Sequence, residues 1–231
     1  MASSSSSRRG YLLILNIQRD REGSNYDAKN LERVFETMGA EVNVVTDPNE
    51  KVVKTKMAEL RKKDFTDFLY VAVAYFSHGT EDDGVLTASE SELINAQKTL
   101  LIPLSNNETL NGKLKWLIMQ NCRGSYDFAV QKPEGPVAVV KYPRYYLKCF
   151  ATSPCMRAYR TEFGSFFIEN LCLRLLKEYQ TLDVVSIMEN VKSDVANNCI
   201  NLPNYMCTQI PDVETNLATK KFYITSGFQD N

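Results

Sequence analysis

Only one histidine, His78, and one tryptophan, Trp116, occur in 231 residues. No two of the six cysteines form a Cys-x-x-Cys pair. A structural zinc site therefore lacks its usual ligands. Nor does cysteine spacing in a chain this long match a small disulfide scaffold. No metal and no other cofactor is expected. The formal net charge is only −1, which gives no long-range attraction to nucleic acid or to an anionic membrane. No apolar run approaches the length of a membrane span. Arg8 and Arg9 precede no apolar signal core, since residues 11–17 are too few and read as a strand. A cytoplasmic location is the expectation. No glycine-rich phosphate loop follows the first apolar run, where Gly23 is the only nearby glycine. That sets aside a nucleotide-binding α/β domain.

What is present is ordinary for a soluble domain: 44% hydrophobic and 24% charged residues. The length allows one large domain or two small ones, with a real core in either case. Residues 1–9 form a Ser-rich tail that cannot pack a core.

From Gly10 onward, strand-like and helix-like segments alternate. Residues 11–15 are continuously apolar, as in a strand covered on both faces. Residues 27–38 place Leu31, Val34, Phe35 and Met38 at helical spacing, with Gly39 as a stop. A strand over 41–45, a helix over 50–62 and strands over 68–76, 114–119 and 147–151 follow. Helices are expected over 164–178 and 182–197, and a last short strand over 221–225. Residues 125–144 carry Pro133, Gly135, Pro136 and Pro143 and read as a loop between two halves. The alternation predicts an α/β fold with a mostly parallel sheet. Ligand sites in such sheets lie beyond the carboxyl ends of the strands.

Two chemistry-bearing residues fall at such ends. Cys122, within Gln120-Asn121-Cys122-Arg123-Gly124, follows the run 114–119, and His78, within Ser77-His78-Gly79, follows 68–76. Both are expected on one sheet edge, as a nucleophile and its acid/base partner require. The thiolate is the reactive form, so the thiol needs a proton acceptor nearby. The other five cysteines read as small buried hydrophobes, and Trp116 reads as core.

These motifs, and the chain from Gly10 to Ile224, resemble the caspase family of cysteine proteases. The resemblance implies a three-layer sandwich, with a central six-stranded sheet and helices on both faces. It implies a protease domain with little or no prodomain. Residues 10–127 would form a large-subunit-like part, 128–144 an inter-subunit linker and 145–231 a small-subunit-like part. By the same resemblance Cys122 is the nucleophile and His78 the proton donor to the leaving amine. The backbone N–H groups of Gly79 and Cys122 would hold the oxyanion.

Arg21, Gln120 and Arg160 match the pocket that reads a substrate aspartate, since two guanidinium groups can grip one carboxylate. Ala158 and Tyr159 stand where the family has Ser and Trp, Tyr159 walling a pocket and Ala158 meeting substrate through its backbone. Arg19, two residues from Arg21, is the competing choice. Asn121 stands where the family has Ala. Within residues 125–144, Asp127 is the one aspartate and the candidate processing site.

The implied activity is cleavage of proteins at an exposed aspartate, in apoptosis or related cell-death signalling. The implied assembly is a homodimer, or a heterodimer with another caspase, through the last strand near Phe222. The alternative is a weak or inactive regulator, a decoy that dimerises with an active caspase.

Overall fold

Every residue of strand β1 (Gly10–Asn16) is buried, because the strand has neighbours on both edges and layers on both faces. The computed structural model describes residues 10–80, 84–89, 92–124, 143–198, 200–202 and 205–229. After β1 come helix α1 (Ser24–Thr37), strand β2 (Ala40–Thr46), helix α2 (Glu50–Lys62) and strand β3 (Tyr70–Phe76). A hairpin of β4 (Gly84–Leu86) and β5 (Leu93–Asn95) follows. A π-turn over Gln97–Leu101 runs into the short helix α3 (Ile102–Ser105), and then comes strand β6 (Leu114–Gln120). The second part holds β7 (Tyr146–Phe150), the paired β8 (Arg160–Thr161) and β9 (Gly164–Ser165), and helices α4 (Phe166–Glu178) and α5 (Val184–Asn197). It ends with β10 (Ile200–Leu202), β11 (Tyr205–Cys207), β12 (Asp212–Thr215), β13 (Lys221–Tyr223) and β14 (Gly227–Gln229).

Six of these strands make one sheet in the order β12-β7-β6-β3-β1-β2. All its pairings are parallel except β12 with β7. The expected mostly parallel six-stranded sheet is thus present. Alternate side chains of the inner strands enter two separate cores. Leu12, Ile14, Ala72, Ala74, Trp116 and Ile118 pack under α1, α4 and α5. Leu13, Leu15, Val71, Val73, Leu117 and Met119 pack under α2 and the α3 segment. This double burial explains the unbroken apolar runs. Each fully buried Leu, Ile, Val or Phe contributes roughly 1.5–3 kcal/mol, so tertiary packing, more than helix propensity, holds the helices.

Helix starts follow local capping chemistry. Asn49 accepts the Val52 N–H, Ser165 the Ile168 N–H, and Asp183 the N–H groups of Val185 and Ser186. Helix α1 begins three residues earlier than the apolar spacing predicts. Gly23, at φ 84°, supplies the left-handed turn that precedes it. Helix α4 begins later than expected, at Phe166, because Gly164 and Ser165 pair with β8.

The last expected strand is present as β13 and lies outside the central sheet. It pairs with β14 in its own hairpin, and Phe222 is fully buried against the rings of Tyr70 and Phe228. The sixth sheet strand is β12, between the last expected helix (182–197) and the last expected strand (221–225), where the sequence pattern predicts no strand. Its Asp-Val-Glu-Thr sequence has a single large apolar residue, as suits an exposed sheet edge. Among the described residues, no helix is long and apolar enough to cross a membrane.

Candidate active site

Strands β3 and β6 are parallel neighbours with Phe76 opposite Gln120. The chain leaves the same sheet edge after each, and two residues later lie His78 and Cys122. The Ser77 N–H donates to the Gln120 carbonyl at 3.2 Å, joining the two exits. The loops touch at Gly79, where an added Cβ would lie 2.3 Å from both Asn121 Nδ2 and the Cys122 carbonyl oxygen. Among the described residues, neither the Gly79 N–H nor the Cys122 N–H donates to a protein acceptor. Two free N–H groups on touching loops beside a thiol are what a developing oxyanion requires.

His78 is half-buried, with the backbone of Asp20 beside its ring. Burial, then the nearby cations Arg21 and Arg160, push its pKa below the ordinary histidine value; the Asp20 contact works against them. These effects favour the neutral imidazole over the imidazolium. Cys122 is also partly exposed. Its Sγ accepts the Ala158 N–H at 3.4 Å and lies 3.8 Å from the Ala158 carbonyl oxygen.

Arg21 is buried at the foot of an open cavity of about 640 Å³, which Arg160 also lines. Arg19 is exposed, so Arg21 is the arginine set into the site. Its Nη1 donates to the Ile17 carbonyl at 3.1 Å and its Nη2 to that of Gln120 at 3.2 Å, while Nε has no partner. The Gln120 side-chain oxygen is likewise buried and unpartnered. Arg160 is half-exposed and donates to the backbone carbonyls of Glu22 (3.1 Å) and Asp20 (2.8 Å). Burial, then Arg160, pushes the Arg21 guanidinium well below the usual arginine range. Neither arginine has a carboxylate within ion-pair distance among the described residues. Two cations are thus held by neutral carbonyls around one cavity, whose lining also includes Asp20, Glu22 and Glu162.

The loop that carries Arg160 is tied down at several points. Tyr159, half-buried, donates its N–H to Gln209 Oε1 at 2.7 Å, and Gln209 Nε2 donates to the Ala151 carbonyl at 2.7 Å. Asp27 accepts the Ser165 N–H at 2.8 Å. Arg123, next to the thiol, reaches the sheet edge: it pairs with Asp212 at 2.8 Å and Glu214 at 3.4 Å and stacks on Phe150. Lys148 also pairs with Glu214.

The structure thus brings together His78, Gly79, Gln120, Cys122, Ala158, Arg160 and Arg21. Asp127 lies outside the described residues, as does most of 128–144. Sequence reasoning missed the Asp20 carbonyl, Gln209 and the tie between Asp27 and Ser165. The first is a backbone group and the second sits in an irregular segment, so neither has a compositional signal.

A family model described as "Caspase domain" matches residues 9–223. The chain is 27% identical over 191 residues to caspase-7 of Gallus gallus, covering 77% of this chain and 61% of that protein. It is 27% identical over 211 residues to caspase-3 of Xenopus laevis, covering 88% and 73%. The same identity over 215 residues is found with caspase-3 of Oryctolagus cuniculus, covering 88% and 76%.

Proposed function

Because this chain belongs to the caspase family of cysteine proteases, we propose that it is an endopeptidase that cuts proteins after aspartate. The observation that carries this reading is the pair Arg21 and Arg160. Both line one cavity, and neither has a carboxylate within ion-pair distance among the described residues. A substrate aspartate entering that cavity gains charge-assisted hydrogen bonds. The unpartnered Arg21 Nε and Gln120 Oε1 mark polar capacity left for it there.

The chemistry follows from the groups around the thiol. His78 takes the Cys122 proton, and Sγ attacks the carbonyl carbon of the aspartate. The carbonyl π electrons move to oxygen, where the N–H groups of Gly79 and Cys122 receive the negative charge. As the carbonyl re-forms, the C–N bond breaks and the imidazolium gives its proton to the leaving amine. A water then attacks the thioester, passes its proton to His78 and releases the peptide acid and the thiol. The family resemblance assigns the Ala158 backbone to the substrate backbone, which would take over the Ala158 N–H from Sγ. The expected setting is the cytoplasm, in apoptosis or related cell-death signalling, as a homodimer or heterodimer.

The test is hydrolysis of fluorogenic peptides ending in aspartate, with Cys122→Ala alongside. Turnover in the wild type, lost in the variant, supports the protease. No turnover at high protein concentration, together with retained binding to an active caspase, would replace it with the decoy reading.

A further inference from the structure

We propose that Asn121 is a positioning residue that holds the two oxyanion donors in register; the proposal rests on the protease reading above. Asn121 is buried, with 1% of its surface exposed. Its Nδ2 donates to the carbonyl of Cys122 at 2.8 Å. The opposite end of that same peptide group, the Arg123 N–H, donates to the Met156 carbonyl at 3.0 Å. The peptide group after the nucleophile is therefore held at both its oxygen and its nitrogen. Rotation about the Cys122 backbone, which would turn the thiol relative to its own N–H, is blocked from both sides.

The same amide also supports the other donor. It lies so close beneath Gly79 that an added Cβ there would meet Nδ2 at 2.3 Å and the Asn121 Cβ at 3.0 Å. One side chain thus fills the space between the two loops whose N–H groups are free. Alanine, the residue the family resemblance leads one to expect at this position, has no atom that could make the bond to Cys122. The Asn121 Oδ1 is buried without a partner among the described residues. An unpaired buried oxygen opposes a role in packing alone, where an apolar side chain would serve better. The favourable contact of this residue is the one its nitrogen makes.

The test compares wild type with Asn121→Ala and Asn121→Asp. Aspartate keeps the shape and turns the donor into an acceptor facing a carbonyl. Three quantities are measured: kcat and KM for an aspartate peptide, affinity for a peptide aldehyde ending in aspartate, and affinity for the matching product peptide. The aldehyde adds to Cys122 and places its oxygen on the two N–H groups, whereas the product needs only the arginine pocket. Positioning predicts a kcat loss on the order of 10-fold or more, with KM nearly unchanged. Aldehyde affinity should fall in parallel while product affinity stays, and Asp should be worse than Ala. If Ala fails to fold, the isosteric Asp variant carries the comparison. Equal kcat and an equal aldehyde-to-product affinity ratio in the folded variants would overturn the role of Asn121 alone. A wild type that neither turns over nor binds either ligand would overturn the protease reading and this proposal with it.

Discussion

The backbone N–H of Ser165 donates to Asp27 at 2.8 Å and so joins helix α1 to the hairpin that carries Arg160. This contact spans the pocket from behind. It is made by a carboxylate with one buried, unpartnered oxygen, and burial pushes its pKa up to about 6 despite the Ser165 hydrogen bonds and the nearby arginines.

That displacement has a consequence for stability. The native state holds the Asp27 proton more tightly than the unfolded chain, whose value is near 3.8. Between those two pH values stability therefore falls as pH rises, and the loss is complete above the folded value. Asp27→Asn cannot ionise and still offers an oxygen to Ser165. From pH 4 to pH 7.5 the variant should gain on the wild type by up to about 3 kcal/mol. Urea unfolding at the two pH values measures this, and a difference independent of pH would contradict it.

The two pocket arginines should separate binding from stability. Arg160 is half-exposed and bonds only backbone carbonyls, so Arg160→Ala should leave the fold intact. It should weaken kcat/KM for aspartate peptides by about 100-fold or more, because the substrate carboxylate loses a charged partner. Arg21→Ala should do the same and also cost about 1–3 kcal/mol, since the Ile17 and Gln120 carbonyls lose their buried donors. Kinetics and thermal melts on both variants settle the distinction. Equal melting points would show that the Arg21 bonds carry no structural weight.

His78 is the only histidine, so its imidazole protons can be followed in a tag-free sample without assignment. Burial and two neighbouring cations lower its pKa. Its NMR titration should therefore have a midpoint below 6.5, the ordinary value. Arg160→Ala removes one cation, and the midpoint should move up. A wild-type midpoint at or above 6.5 would contradict the arrangement of charges around the ring.

Much of this was legible in the chain, and the exceptions share a cause. Strands β1, β3 and β6 announce themselves because burial on both faces demands continuous apolar sequence. His78 and Cys122 stand out because each follows such a strand. β12 does not, because an edge strand is held by one ladder and by ion pairs to Arg123 and Lys148. Phe222 lies on the last expected strand, and its side chain belongs to the core. The Asp20 carbonyl and Gln209 act through contacts with residues distant in sequence, which only the fold brings near.

Strands β6 and β7 lie side by side in a parallel ladder from Lys115↔Tyr146 to Met119↔Phe150. Residues 125–142 connect them in the chain, but the ladder and the core beneath it do not depend on that covalent link. Across the same seam Lys115 donates from Nζ to the Arg144 carbonyl and from its backbone N–H to the Tyr145 carbonyl. Severing the backbone anywhere between the two strands would create new termini without dissociating the halves. The nucleophile and Arg160, which sit on opposite sides of that break, would stay in one particle. A nicked molecule should therefore run as two bands on a denaturing gel and as a single species in native mass spectrometry.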